Sequence, residues 1–348
     1  MYDFTVCGAG PVGSYLAWKL SERGQSVLVL EEHKQIGEPL ACSGLVSRNI
    51  KDFMPRSFFQ KSSSKNGIIE REIKGARVHL GKKTYTFNSD QAFVVNRTRM
   101  DKLLAKQAIK SGANFSTESR LFGFFESKNK VSLYVKSKGF SNIRTKILAG
   151  CDGPLSIVRD NMNISQPNLL HGIFCYVDEE PDSYVDLYYK KAPGFFAWRI
   201  PRKDKVEYGL ACKTNAKKHF QKFSKTMRLR HSKVYSGLIP YGLLPRTTTN
   251  RTFLCGDAAA QTKPYSGGGL IYGLTAADVA SSLIRPDEPN MNSYEREWRN
   301  RLGFEIRCGL WMKRSYNLPA PFLNMAVKRL FSRHKKRDMQ MDRPSTMW

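Results

Sequence analysis

The chain is short of acid. Against 57 lysines and arginines it carries 30 aspartates and glutamates, a formal charge of +27 over 348 residues. Three explanations compete for that imbalance: an anionic membrane surface, nucleic acid, or a basicity general to the source proteome. The excess runs along the whole chain and is densest towards its C-terminal end, and no nucleic-acid-binding signature accompanies it, so no nucleic-acid partner is expected. Long apolar runs are missing as well. No stretch of 18 apolar residues occurs, which argues against a transmembrane helix. Cysteine is sparse and dispersed: Cys7, Cys42, Cys151, Cys175, Cys212, Cys255 and Cys308 form no C-x-x-C pair, so neither a metal site nor a disulfide framework is expected. The six histidines show no ligand or triad spacing, and no internal repeat is found. The first expected strand begins within a few residues of Met1 and leaves no room there for a secretory signal, so the cytoplasm is the expected compartment. At 41% hydrophobic the chain has the material for a sizeable core.

What is present is concentrated first in residues 1–32. Phe4–Cys7 reads as a buried strand, Gly8-Ala9-Gly10-Pro11-Val12-Gly13 as a tight turn, Ser14–Arg23 as a helix closed by Gly24, and Ser26–Leu30 as a second strand ending in Glu31-Glu32. This is G-x-G-x-x-G in its required setting of strand, turn, helix, strand and acid. Gly8 permits the turn, Gly10 lets a pyrophosphate approach the backbone, and Gly13 lets helix and strand pack. The helix N-terminus offers free N–H groups to phosphates. Glu31, with Glu32 beside it, is placed to accept hydrogen bonds from ribose hydroxyls. A dinucleotide site is the expectation; the competing reading is a glycine turn in an ordinary βαβ unit.

Beyond it, a glycine- and proline-marked loop spans Gly37–Leu45, and alternating patterns predict a hairpin across Gly81-Lys82. Phe93–Arg97 reads as a strand, 100–111 as a helix stopped by Gly112, and 113–148 as two or three strands. Gly172–Thr214 is strand-rich and aromatic, Lys217–Arg230 helical, Thr252–Ala258 a buried strand, and Gly269–Leu283 an apolar helix. Beyond Asn292 the chain is helical and basic, with breaks at Pro319 and Pro321.

Three later segments resemble flavoproteins similar to p-hydroxybenzoate hydroxylase. They are Val95-Asn96-Arg97-x-x-Met100-Asp101-x-x-Leu104, Cys151-Asp152-Gly153-x-x-Ser156-x-x-Arg159, and Leu254-Cys255-Gly256-Asp257-Ala258-Ala259. Three more resemble the geranylgeranyl reductase family within that group: the loop around Cys42, the segment Pro193-Gly194-Phe195-Phe196-Ala197-Trp198-Arg199-Ile200-Pro201, and Lys263-Pro264-Tyr265-Ser266-Gly267-Gly268-Gly269-Leu270. Phe196 stands where that family has Tyr, and Ile200 where it has Phe. The resemblance implies an α/β fold: an FAD-binding Rossmann-like parallel-sheet domain (1–55, 90–165 and 245–290), an inserted antiparallel-sheet substrate domain (56–89 and 166–244), and a basic C-terminal helical segment (291–348).

It also implies FAD as cofactor and saturation of isolated double bonds in the polyprenyl chains of isoprenoid membrane lipids. Arg97, Asp152, Gly256, Asp257 and the Gly267–Leu270 turn become cofactor-binding candidates. Cys42 becomes the catalytic candidate beside the flavin, and Phe195, Phe196, Trp198 and Tyr265 the substrate-binding ones. Each has a plainer alternative: a core cysteine, core aromatics, a surface ion pair for Arg97, a turn-holding carboxylate for Asp152. NAD(P)H, ferredoxin and a deazaflavin stay open as electron donors. The basic helix around Phe322–Phe331, with Lys328, Arg329, Arg333, Lys335, Lys336 and Arg337, suits either peripheral membrane association or simple packing. Two other functions compete: a flavin monooxygenase or halogenase acting on an aromatic substrate, and a non-catalytic flavin-bound module.

Overall fold

A computed structural model describes residues 1–61, 63–64, 67–137, 139–334 and 340–347. The elements in chain order are β1 (Tyr2–Cys7), α1 (Pro11–Ser21), β2 (Val27–Leu30), β3 (Leu45–Ser47), β4 (Ile69–Leu80), β5 (Lys83–Val95), α2 (Arg97–Lys110), β6 (Asn114–Ser116), β7 (Arg120–Glu126), β8 (Val131–Lys136), β9 (Phe140–Gly150) and α3 (Ile157–Asn161). They continue with β10 (Asn168–Val177), β11 (Tyr184–Tyr189), β12 (Phe196–Pro201), β13 (Val206–Cys212), α4 (Ala216–Thr226), β14 (Val234–Tyr241), β15 (Thr252–Leu254), α5 (Leu270–Leu283), α6 (Met291–Ser315) and α7 (Ala320–His334).

These build two sheets. The first runs β6-β2-β1-β9-β8-β7, with β15 also paired to β9. Its β6, β2, β1, β9 and β15 pair in parallel, and β7 and β8 extend it antiparallel from the first half of β9. The strands β1 and β2 are short and apolar because both faces are covered. Packed around them are α1, α2, α5 and α6, in a core that includes Leu16, Leu104, Leu274 and Trp298. The second sheet runs β14-β10-β13-β12-β11-β4-β5-β3 and is antiparallel except where β11 lies parallel to β4. The α/β architecture expected from the sequence is therefore the one observed.

The details differ in three places. The chain changes sheet four times, and Leu45–Ser47 and residues 90–95 lie on the second sheet although the sequence boundaries gave them to the first. Residues 113–148 hold four strands and not two or three, the additional one being the three-residue edge strand β6, too short for alternation to reveal. Pro321 does not break a helix: it sits in the first turn of α7, where a missing N–H has no helical partner to lose.

In α7, Leu323 and Val327 are buried against Val78, Leu80 and Phe87 of the β4–β5 hairpin, and Phe331 meets Phe87 edge-on at 5.4 Å. That part of the helix's apolar face is thus covered by protein. Lys335, Lys336 and Arg337 lie outside the described residues. No helix among the described residues is long and apolar enough to cross a membrane.

Candidate functional site

The fingerprint turn is built by what its glycines leave out. Gly8 has φ +100°, and a Cβ there would stand 2.4 Å from the Cys151 carbonyl oxygen. A Cβ on Gly13 would stand 2.0 Å from the Gly8 carbonyl oxygen. Both are therefore fixed by protein packing. Gly10 is different: a Cβ there meets no protein atom within 4 Å, because the residue faces a cavity. Its lack of a side chain matters only to something that enters that cavity. Pro11 opens α1, whose first turn lines the same space.

The cavity is continuous and measures about 1250 Å³. A typical small-ligand pocket is about 300–1000 Å³, so this one has room for more than one ligand. One end is lined by Gly10, Pro11, Val12, Glu31, Arg97 and Asp257 and is polar. The other is lined by residues on one face of the second sheet, including Val78, Leu187, Tyr189, Phe196 and Trp198, and is apolar. Alternation explains that wall: on β11 and β12, Val185, Leu187, Tyr189, Phe196, Trp198 and Ile200 line the cavity, while Asp186 and Arg199 between them pair with each other away from it.

At the polar end, Glu31 accepts from the Ala9 N–H at 2.8 Å and from the His33 N–H at 2.9 Å, which fixes its carboxylate beside the turn. Asp257 follows β15. Its carboxylate accepts no hydrogen bond from the described residues, and burial pushes it up to about 6, a rise that Arg97 partly offsets. Gly269 leaves room for it, since a Cβ there would come 2.7 Å from Asp257 Oδ1. The α5 N-terminus, with Gly268, Gly269 and Leu270, opens on the same cavity as that of α1. Two helix N-termini, a glycine with open space before it and an unsatisfied carboxylate form a cradle that fits a dinucleotide with phosphates at one helix and hydroxyls at Asp257.

Cys42 lines the same cavity, near enough to the Arg97 guanidinium to favour its charge. Burial works against the charge of Arg97, but Asp101, 3.3 Å away, and Cys42 together outweigh it and hold the group above its ordinary value. Gly44 keeps this loop against β5: its φ is +76°, and a Cβ would stand 2.3 Å from the Val95 carbonyl oxygen. The spacing of Cys42 and Gly44 thus has a backbone reason.

Among the other sequence candidates, Phe195, Phe196, Trp198 and Tyr265 all line the cavity. Phe195 stacks on Phe196 at 4.1 Å. The Tyr265 hydroxyl donates to the Met341 carbonyl, so it is held in place and does not point free into the cavity. Gly267 takes φ +77°, and its N–H donates to the Lys263 carbonyl at 2.8 Å, closing the turn before α5. Gly256 packs against Val12. Like Gly8, Gly13 and Gly256, two carboxylate candidates do not line the cavity. Glu32 is exposed, beside Arg120 at 3.6 Å. The Asp152 carboxylate accepts from Ser156 Oγ at 2.6 Å and from the Val158 N–H at 3.1 Å, so it holds the start of α3, as its plainer reading has it.

The sequence did not single out several residues that shape the site. Glu207 is fully buried on β13 and accepts from the Trp198 indole at 2.9 Å and from Arg202 at 3.2 Å. Burial pushes it up to about 7, against the pull of Arg202 and Trp198. Arg202 also donates to the Ser43 carbonyl, tying the indole that lines the chamber to the loop that carries Cys42. Lys263 pairs with Asp342 at 2.7 Å, both buried. Burial would raise Asp342, but Lys263 with Ser47 and Asn49 holds it below the usual carboxylate range. Residues 340–347 are thereby strapped under the Gly267–Gly269 turn. Tyr189 pairs with Phe196 across β11 and β12 and lines the cavity, so a hydroxyl stands beside the position where Phe196 lacks one. The one available signal was Glu207, a lone carboxylate in an otherwise apolar strand.

Comparison with known proteins gives the chain a family. The FAD binding domain family matches residues 1–218, and the chain belongs to that family. FAD is its cofactor, and the protein is an FAD-dependent oxidoreductase. The chain is 28% identical over 340 residues to an uncharacterized protein of Methanocaldococcus jannaschii, covering 90% of this chain and 84% of that one. It is also 28% identical over 332 residues to a digeranylgeranylglycerophospholipid reductase of the same organism, covering 86% and 83%. Among solved structures, a geranylgeranyl bacteriochlorophyll reductase-like protein from Thermoplasma acidophilum superposes with a TM-score of 0.84 at 21% identity, over 99% of this chain and 94% of that one. An anhydrotetracycline hydroxylase from Streptomyces rimosus superposes at 0.74 with 19% identity, over 97% and 74%. These two likenesses speak to fold.

Proposed function

We propose that the protein saturates isolated double bonds in the geranylgeranyl chains of isoprenoid membrane lipids. The observation that carries this reading is the apolar chamber continuous with the cradle, walled by Phe195, Phe196, Trp198, Leu187 and Val78, with Cys42 lining the same cavity. Such a wall offers a hydrocarbon no hydrogen-bonding partner and excludes the water that would compete at the reacting centre. The relatives named as digeranylgeranylglycerophospholipid reductases support the same substrate class.

FAD, once reduced by an external donor, supplies the hydride. The chain's own residues do the rest. The cradle of Gly10, the α1 and α5 N-termini and Asp257 binds the cofactor. The aromatic wall orients the alkene by shape. An isolated alkene has no carbonyl to polarise, so a proton must arrive as the hydride does, and Cys42 Sγ, on the cavity wall with Arg97, is the proton-bearing atom we assign to that step. Tyr189 stands in the same chamber and takes the role if Cys42→Ser retains activity.

The test is direct. The purified protein is reduced with dithionite under anaerobic conditions and given a geranylgeranyl glycerophospholipid. Mass gains in steps of two units support the reading. The fold likeness to a hydroxylase gives the alternative, an oxygen-using enzyme acting on an aromatic substrate. An unchanged lipid, with an aromatic oxidised or halogenated in air, would decide for it.

A further inference from the structure

The apolar end of the cavity opens at the corner between α6 and α7. Leu318, Phe322 and Met325 line the cavity and are also 41%, 56% and 65% exposed, so they form its rim. On α6, Phe304 and Trp311 lie two turns apart on one face and are 59% and 71% exposed. The buried face of α7, with Leu323 and Val327, is already occupied by the β4–β5 hairpin. The outward apolar residues are therefore a separate set: Leu318, Phe322 and Met325 border the opening, and Phe304 and Trp311 lie on the exposed face of α6, the helix that leads to that corner.

Their surroundings carry one sign of charge. From Ile306 to Arg337 the sequence contains no aspartate or glutamate and nine lysines and arginines. Of these, Arg307, Arg314, Lys328 and Arg329 are exposed and have no ion-pair partner among the described residues. Arg329 also lines the cavity. Large exposed aromatics with unpaired cations at the lip of a greasy cavity match an anionic lipid surface: the rings enter the headgroup layer and the cations meet its phosphates.

We infer that the α6–α7 corner is a membrane-docking rim. It seats the cavity mouth on an anionic bilayer, so that a lipid's hydrocarbon chain passes from the bilayer into the chamber without crossing water. This rests on the lipid-reductase reading for the identity of what enters, while the docking itself does not. The helices lie on the bilayer and do not cross it.

The FAD-loaded protein is sedimented with vesicles of phosphatidylcholine, and with vesicles of phosphatidylcholine and phosphatidylserine at two to one. Binding is expected to the second and to fall steeply with salt. Each cation removed, as in Arg314→Ala or Lys328→Ala, is expected to lower partitioning by about five-fold. The exposed pair Phe304→Ser with Trp311→Ser is expected to lower it at least ten-fold, while turnover of detergent-dispersed lipid stays unchanged. Wild-type protein that ignores the anionic vesicles, or a double variant that still binds them fully, overturns the rim. So does a wild-type dimer that Trp311→Ser converts to a monomer, which would give the face to a second copy. Vesicle binding with no lipid reduced overturns the reductase reading and leaves the rim standing.

Discussion

The two ends of the cavity are made in opposite ways. The cradle is shaped by missing side chains: Gly8, Gly10, Gly13 and Gly269 leave room, and the first turns of α1 and α5 line it. The chamber is shaped by side chains that are present, a wall of Phe195, Phe196, Trp198, Tyr189 and Leu187. A site made by absence has little tolerance, because an added methyl has either no room or only the ligand's room. A site made by bulk responds in proportion, because its neighbours relax around a smaller or larger group.

That contrast yields an ordered set of expectations. The largest concerns the cradle. Gly13→Ala places a Cβ 2.0 Å from the Gly8 carbonyl oxygen. It is expected to cost about 3 kcal/mol or more and to yield protein that folds poorly and purifies colourless. Gly10→Ala clashes with no protein atom, so the apoprotein's melting temperature should hold while FAD affinity drops at least ten-fold. Equal losses of stability in both would erase the distinction drawn between packing and ligand-facing glycines.

Next is Asp257. Its carboxylate, pushed up to about 6, accepts most strongly from ribityl or ribose hydroxyls when ionised, because a proton turns one of its oxygens into a donor. FAD affinity should therefore be flat well above pH 6 and fall below it, by at most ten-fold per unit. Asp257→Asn should abolish this dependence, and titration of flavin fluorescence across pH 5–8 measures it.

Glu207 tests the chamber. Its folded value of about 7 lies above its ordinary 4.5. The folded state thus holds its proton more tightly than the unfolded one. The stability tied to that proton is fully present below about 4.5 and is lost as pH rises through 7. Glu207→Gln should flatten this decline, which is on the order of 3 kcal/mol for such a displacement. Urea melts at pH 5 and pH 8 read it.

The smallest effect lies between the two ends. Asn96 Oδ1 caps α2 by accepting from the Arg99 N–H at 2.9 Å. Asn96→Ala should cost about 1 kcal/mol. It should also loosen Arg97, one residue on, and so alter flavin absorbance more than a surface change of equal cost.

The same contrast explains what could be read in advance. The cradle was legible because it is local: β1, the turn, α1 and β2 lie within thirty residues, and a glycine pattern encodes a backbone requirement. The aromatic wall was legible as alternation on β12, though not which face would be hollow. The rest depends on distance in sequence. Arg202 reaching Ser43, Lys263 reaching Asp342, and β4 lying beside β11 join segments dozens to hundreds of residues apart. No local period announces such partners. Asp152 and Glu32 show what a motif position leaves open: the Asp152 carboxylate holds the start of its own helix, and Glu32 faces solvent.

The four passages of the chain between its sheets carry a consequence for modularity. No single cut separates a self-sufficient nucleotide-binding piece from a self-sufficient hydrocarbon-binding one, because each sheet is completed by strands that arrive after the other has begun. Gene fission or domain grafting at any one junction should yield fragments that fold only when mixed. Heat should melt the whole as one transition, which FAD raises for both sheets together.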